Sequence, residues 1–195
     1  MNYLAHIYLS GSDEFLCIGN FIGDHVKGKA YLDYPETIQN GILLHRKIDY
    51  FTDQHFLFKK NVTLLFPQFR HYSRVIVDMF FDHFLSNQWN NYHPEPLEQF
   101  SKRFYALIEQ YSSILPDKTK KMLPVISKYN WFLAYSTFDG MEKILSQMSQ
   151  RTKFSSNLSS ALEALEKNYT KIALDFKIFF CELEDFVKRE KEKLS

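Results

Sequence analysis

Three segments of the chain bring acidic and imidazole side chains close together, two of them at spacings that share one helix face. The first is V-I-V-D-M-F-F-D-H-F-L, residues 75–85, where Asp78 and Asp82 stand at i and i+4 and His83 follows directly. A helix apolar nearly all round is normally buried. Burying two carboxylates and an imidazole without partners costs several kcal/mol. Their partners must therefore be cations: a metal, or arginines such as Arg46, Arg70 and Arg74 in an internal ion-pair network. The second segment is G-I-L-L-H-R-K-I-D-Y-F-T-D, residues 41–53. His45 and Asp49 share a face there, and Asp53 lies one turn further on. Such a pair can hold one cation, or Asp49 can simply orient His45 or balance Arg46. The third is G-N-F-I-G-D-H, residues 19–25, with Asp24 after a short apolar run. Gly19 and Gly23 each cost about 1 kcal/mol in a helix relative to alanine. Close approach of another backbone, or of a ligand, would account for them. A tight helix crossing with Asp24 bonded to a backbone group is the plainer alternative.

All seven histidines precede residue 94, as do seven of the eleven aspartates and five of the six glycines. The second half reads as aromatic core with solvated lysine and glutamate, so chemistry is expected in the first half. His6, Asp24, His45, Asp49, Asp82 and His83 together form a mixed imidazole–carboxylate set, which suits Mn²⁺, Fe²⁺ or Zn²⁺. A cation so held acidifies water toward hydroxide near neutral pH. There is no Gly-x-Ser-x-Gly elbow, Walker loop or dinucleotide fingerprint.

The elements that must carry these residues are helices. With 195 residues, 45% hydrophobic and 24% charged, the chain has enough apolar content for one domain with a core, and neither disorder nor a disulfide scaffold fits. Six glycines and six prolines are too few for most all-β folds. A net charge of +1 argues against general nucleic-acid binding. Cys17 and Cys181 have no metal spacing and fit a reducing compartment. The first ten residues lack the basic region of a signal peptide, and no apolar run is long enough to span a membrane; the expected location is the cytoplasm.

The pattern predicts a single all-α domain over residues 1–195, a bundle of about seven or eight helices. A first short helix covers about 2–10. Ser12 or Asp13 caps a second that runs to about Lys27 and stops at Gly28. Pro35 sits in the first turn of a third. Pro67 closes the following region, a fifth helix spans about 70–92, and a one-faced helix begins at Leu97. Pro116 and Pro124 bracket a shorter piece, and 131–147 is helical in two parts. From Leu158 to Phe186 the apolar positions alternate spacings of 4 and 3. That seam suits a long C-terminal helix packed along the bundle, or a dimerising coiled coil.

M-N-Y-L-A-H at the start, G-N-F-I-G-D, G-I-L-L-H-R-K-I-D-Y-F-T-D and D-M-F-F-D-H-F-L-S-N-Q-W resemble, in order and spacing, the acyl carrier protein phosphodiesterase family. A weaker likeness continues through I-L-P at 114–116, N-W-F-L-A-Y at 130–135, Gly140 and Q-R at 150–151. The resemblance implies a helical fold distantly similar to HD-domain phosphohydrolases. It implies hydrolysis of the phosphodiester joining 4′-phosphopantetheine to holo-acyl carrier protein. It also implies a divalent metal, Mn²⁺ foremost, with Fe²⁺, Zn²⁺ or Mg²⁺ as alternatives. The HD signature reads His then Asp, whereas the adjacent pair here reads Asp82 then His83.

On this basis Asp24, His45, Asp82 and His83, with His6, are expected to hold the metal. Asp49 is a further ligand or orients His45, and Asp53 and Asp78 support from behind. Arg46, Arg70 and Lys27 are expected at the phosphate. The carrier protein is acidic, so a local basic rim is expected from Lys27, Lys29, Arg70, Arg74, Lys118, Lys120 and Lys121. No nucleic-acid or membrane partner is expected, and the chain is a monomer or homodimer. The residues alone leave two other readings open: a metal phosphohydrolase with a small substrate such as a nucleotide, and a non-catalytic helical binding protein.

Overall fold

The computed structural model describes residues 3–149 and 160–194, and among these all regular structure is helical. The first helix, α1 (Tyr3–Ser10), has only eight residues and would not persist alone. It is clamped at both ends by charges that complement its dipole. Asp82 Oδ2 accepts from Leu4 N at 3.1 Å at the N-terminus, and Lys191 Nζ donates to the Ser10 carbonyl at 2.7 Å at the C-terminus. Leu4, Ala5, Ile7 and Leu9 are buried around it, as is His6.

Helix α2 (Glu14–Ile22) begins at Asp13, whose carboxylate accepts from Leu16 N at 2.9 Å. It ends well before the expected Lys27, passing into a tight 3-10 turn over Gly23–His25. The cause is crowding by α3 (Glu36–Gln54): a Cβ at Gly23 would stand 2.4 Å from His45 Cγ. Gly28 lies in the loop beyond, with φ +55°. Pro35 precedes α3 as its cap instead of entering the first turn.

The α2–α3 crossing brings the two backbones into direct contact. A Cβ at Gly19 would meet the Ile38 carbonyl oxygen at 2.2 Å, and one at Gly41 would meet the Leu16 carbonyl oxygen at 2.3 Å. The two glycines therefore serve a backbone-to-backbone contact that no larger residue permits.

Helix α4 (Phe56–Phe69) runs through Pro67, which falls in its last turn and removes one helical N–H there. Helix α5 (Ser73–Asn87) is shorter than expected at both ends and is followed by a 3-10 turn over Trp89–Asn91. Then come α6 (Leu97–Gln110) and α7 (Asp117–Lys128), the latter continuing past Pro124. The region after it is helical in two parts, α8 (Trp131–Ala134) and α9 (Phe138–Ser149).

The last helix, α10 (Ala161–Glu192), packs against α3, α4, α5 and α9. Its seam is consumed within the chain: Leu165, Ile172, Phe176, Phe179 and Leu183 are fully buried, with Phe81 of α5 stacked obliquely on Phe179 at 5.0 Å. Leu158 and the pair Gln150–Arg151 lie outside the described residues. No described helix is long and apolar enough to cross a membrane.

Gly41→Ala is expected to destabilise the protein by about 3 kcal/mol, because the methyl group overpacks a fixed backbone contact. Urea unfolding followed by far-UV circular dichroism measures it. Gly28→Ala, where nothing lies within 4 Å, is strained only by its positive φ and should cost about 1–2 kcal/mol.

Candidate metal centre

Helices α1 and α3 each offer one imidazole to the same carboxylate. His6 Nε2 lies 3.2 Å from Asp49 Oδ1, and His45 Nε2 lies 3.1 Å from Asp49 Oδ2. The two rings stack at 4.0 Å between centroids. The imidazoles are only 2% and 4% exposed, whereas Asp49 is 41% and Asp24 55% exposed. The centre thus has a buried nitrogen floor and an open carboxylate side. Asp24, in the turn after α2, stands 3.5 Å from His45 Nε2 and forms the rim.

The far nitrogens of both rings are already engaged. His45 Nδ1 donates to the Asn20 carbonyl at 2.8 Å, and His6 Nδ1 donates to Asn20 Oδ1 at 2.8 Å. Each neutral ring must then present a lone pair at Nε2. Neither Nε2 makes a hydrogen bond of ordinary geometry, although both are buried. Lone pairs facing a carboxylate repel unless a positive charge lies between them. A proton supplies it in one way, a cation in another. The nitrogens of His6 and His45 and an oxygen of Asp49 lie within 4.8 Å of one another, close enough to share one ion. Two imidazoles and a carboxylate are the donor set of first-row divalent metals. The residues present therefore fit the implied group.

Without a metal, the charges arrange themselves as this geometry demands. Burial alone would lower His45, but the Asp24 and Asp49 carboxylates beside its Nε2 outweigh it and raise the ring to about 9. Burial, together with the charge on His45, lowers His6 to about 4. Two stacked rings do not both charge. Burial works against the Asp49 carboxylate, yet the two rings beside it hold it far below the ordinary carboxylate range. Asp24 is lowered chiefly by its contact with His45.

Four of the expected site residues, His6, Asp24, His45 and Asp49, come together. Asp82 and His83 are not in the His6–His45–Asp49 group, and as consecutive helical residues they point about 100° apart from each other. Asp82 caps α1 and so anchors the helix that carries His6. His83 turns the other way. Its Nδ1 donates to the Tyr135 carbonyl at 2.7 Å, and its Nε2 accepts from the Tyr169 hydroxyl at 3.1 Å. Both nitrogens are satisfied by neutral groups, and burial lowers its basicity further.

Arg46 spends its guanidinium on the carbonyls of Val26 (3.0 Å) and Gly28 (2.8 Å), with Tyr31 against its face, and so pins the loop after Asp24. Asp53 pairs with Arg74. Arg70 lies over the Phe66 ring at the end of α4. Burial raises the Asp78 carboxyl above its ordinary value. Lys27 is exposed, and its charge bears on His25 together with that of Lys118. His25 Nδ1 bonds Thr119 Oγ1 at 2.7 Å, bringing α7 to the rim beside Asp24.

Sequence reasoning overlooked Asn20. Its signal was present: an amide inside the apolar run L-C-I-G-N-F-I must find partners when buried.

In chelator, the two histidines set opposite slopes on stability. Folding excludes the proton from His6, so acid costs stability from the ordinary 6.5 down to about 4. Folding holds the proton on His45, so that contribution is full below 6.5 and is lost as pH rises through about 9. Metal-free protein should be most resistant to urea between pH 6 and 7 (about the ordinary histidine value), and His45→Gln should flatten the alkaline decline.

A family model described as acyl carrier protein phosphodiesterase matches residues 1–183. The chain is 31% identical over 185 residues to an acyl carrier protein phosphodiesterase of Klebsiella pneumoniae subsp. pneumoniae, spanning 92% of this chain and 94% of that one. It is 27% identical over 193 residues to a protein of the same name from Photorhabdus laumondii subsp. laumondii, spanning 98% and 96%. No solved structure matches it. With nearly its whole length matched in this way, the chain belongs to the acyl carrier protein phosphodiesterase family.

Proposed function

We propose that this chain is a metal-dependent phosphodiesterase. It hydrolyses the bond joining 4′-phosphopantetheine to holo-acyl carrier protein, leaving the apo carrier protein and free 4′-phosphopantetheine. The observation that carries the metal part of this reading is the pair of buried, outward-turned Nε2 atoms facing one carboxylate. The substrate part comes from the names of the relatives. His6, His45 and Asp49 would hold the ion, and Mn²⁺ is the first candidate. A divalent ion there supplies a Lewis acid that draws charge from the phosphoryl group and acidifies water.

The chain's own groups supply the rest. Asp24 is exposed, ionised and beside the ligand cluster, so it accepts the proton of the attacking water. Arg46 holds the carbonyls of Val26 and Gly28, which fixes the turn that presents Asp24. Lys27 and Lys118 converge on His25 at the rim and offer positive charge to a phosphodiester and to an acidic carrier surface. The solvent-facing placement of Asp24 and Asp49 suits a protein-borne substrate, which must bring its ester to the surface of the enzyme.

A native-gel shift of holo- to apo-carrier protein tests the activity. Chelation should abolish the shift and added Mn²⁺ should restore it. Full turnover after complete removal of metal would contradict the proposal. Asp24→Asn should lower turnover by about 10²–10⁴-fold while Mn²⁺ binding is kept. By contrast, His83→Phe should leave Mn²⁺ stoichiometry unchanged where His45→Gln loses it, as titration calorimetry would show.

A further inference from the structure

Asn20 is fully buried in α2, yet it touches both histidines of the centre. Its Nδ2 donates to the His6 carbonyl at 2.8 Å and to Ser10 Oγ at 3.0 Å. Ser10 Oγ donates to that same carbonyl at 2.9 Å. A carbonyl only accepts, so this edge of the amide must be its NH₂. Oδ1 then necessarily faces His6 Nδ1, 2.8 Å away, and that nitrogen carries the proton. The main-chain carbonyl of Asn20 lies in the last turn of α2, where carbonyls run short of helical partners. It receives the Nδ1 proton of His45, from α3, at 2.8 Å.

We infer that Asn20 is the positioning residue of this centre. A single side chain and its own carbonyl hold both imidazoles with Nδ1 protonated and Nε2 turned to Asp49, an inference that rests on the metal reading above. The side-chain type is constrained. Aspartate would set an oxygen against the His6 carbonyl, and leucine would leave His6 Nδ1 and that carbonyl with fewer partners. The reach to His45 depends on the α2–α3 contact: a Cβ on Gly41 would stand 2.9 Å from Asn20 N. Because the side chain serves His6 and the backbone serves His45, substitution at this position separates the two rings.

Asn20→Leu keeps the backbone bond to His45 and removes all side-chain bonds to His6 and Ser10. Two measurements follow on the full chain. In chelated protein labelled with ¹⁵N-histidine, wild-type His6 should show the Nδ1–H form by NMR. In the variant it should move to Nε2–H, donating to Asp49, with His45 unchanged. Mn²⁺ affinity by calorimetry should fall about 10–100-fold, the usual cost of losing a partner that orients a ligand. A folded variant with the His6 tautomer of the wild type and an Mn²⁺ affinity within twofold would overturn the inference. Should Asn20→Leu fail to fold, Asn20→Ser, which leaves room for water, carries the same expectations. Wild-type protein that takes up no Mn²⁺ would contradict the metal reading instead, and the tautomer measurement would still decide the role of Asn20.

Discussion

Two buried imidazoles are held so that their free nitrogens face one carboxylate, and that contact is unstable without a positive charge in it. The constraint originates on the far side of the rings. Asn20 occupies both Nδ1 atoms, so the lone pairs have nowhere to turn but toward Asp49. In the absence of metal the charge is a proton on His45, and the stacked neighbour stays neutral. A divalent cation would relieve the same conflict and displace that proton, which makes metal affinity fall in acid.

The helices are arranged to keep this geometry from relaxing. Helix α1 is too short to stand alone and is fixed by Asp82 at one end and Lys191 at the other. Helices α2 and α3 meet at Gly19 and Gly41, with backbone against backbone. Gly23 makes room for the His45 ring and ends α2, so that Asp24 emerges on a tight turn at the surface. Behind them, the aromatic seam of α10 closes the core against α3, α4 and α5. The residues that hold the centre thus lie in the first half of the chain, braced by the long helix of the second.

Much of this was legible before any coordinates. The 3.6-residue period and the heptad seam predict an all-helical chain with a long last helix, and α10 spends that seam on its own core. The i,i+4 pair His45–Asp49 and the two costly glycines of 19–23 were readable because both rest on local spacing. What misled was Asp82 beside His83. Buried polar groups do need partners, and those seen here lie far away in sequence: the Leu4 N–H among those of Asp82, the Tyr135 carbonyl and the Tyr169 hydroxyl for His83. Backbone partners leave no trace in residue types. Helix ends at Ile22 and through Pro67 and Pro124 were likewise decided by neighbours, not by local propensity.

Anomalous diffraction from crystals grown with Mn²⁺, recorded on both sides of the manganese edge, addresses the central claim most directly. The account predicts one strong peak about 2.2 Å from His6 Nε2, His45 Nε2 and an Asp49 oxygen, within the range of first-row metal–ligand distances. A peak beside Asp82 and His83, or a fully loaded crystal with density nowhere near Asp49, would contradict it.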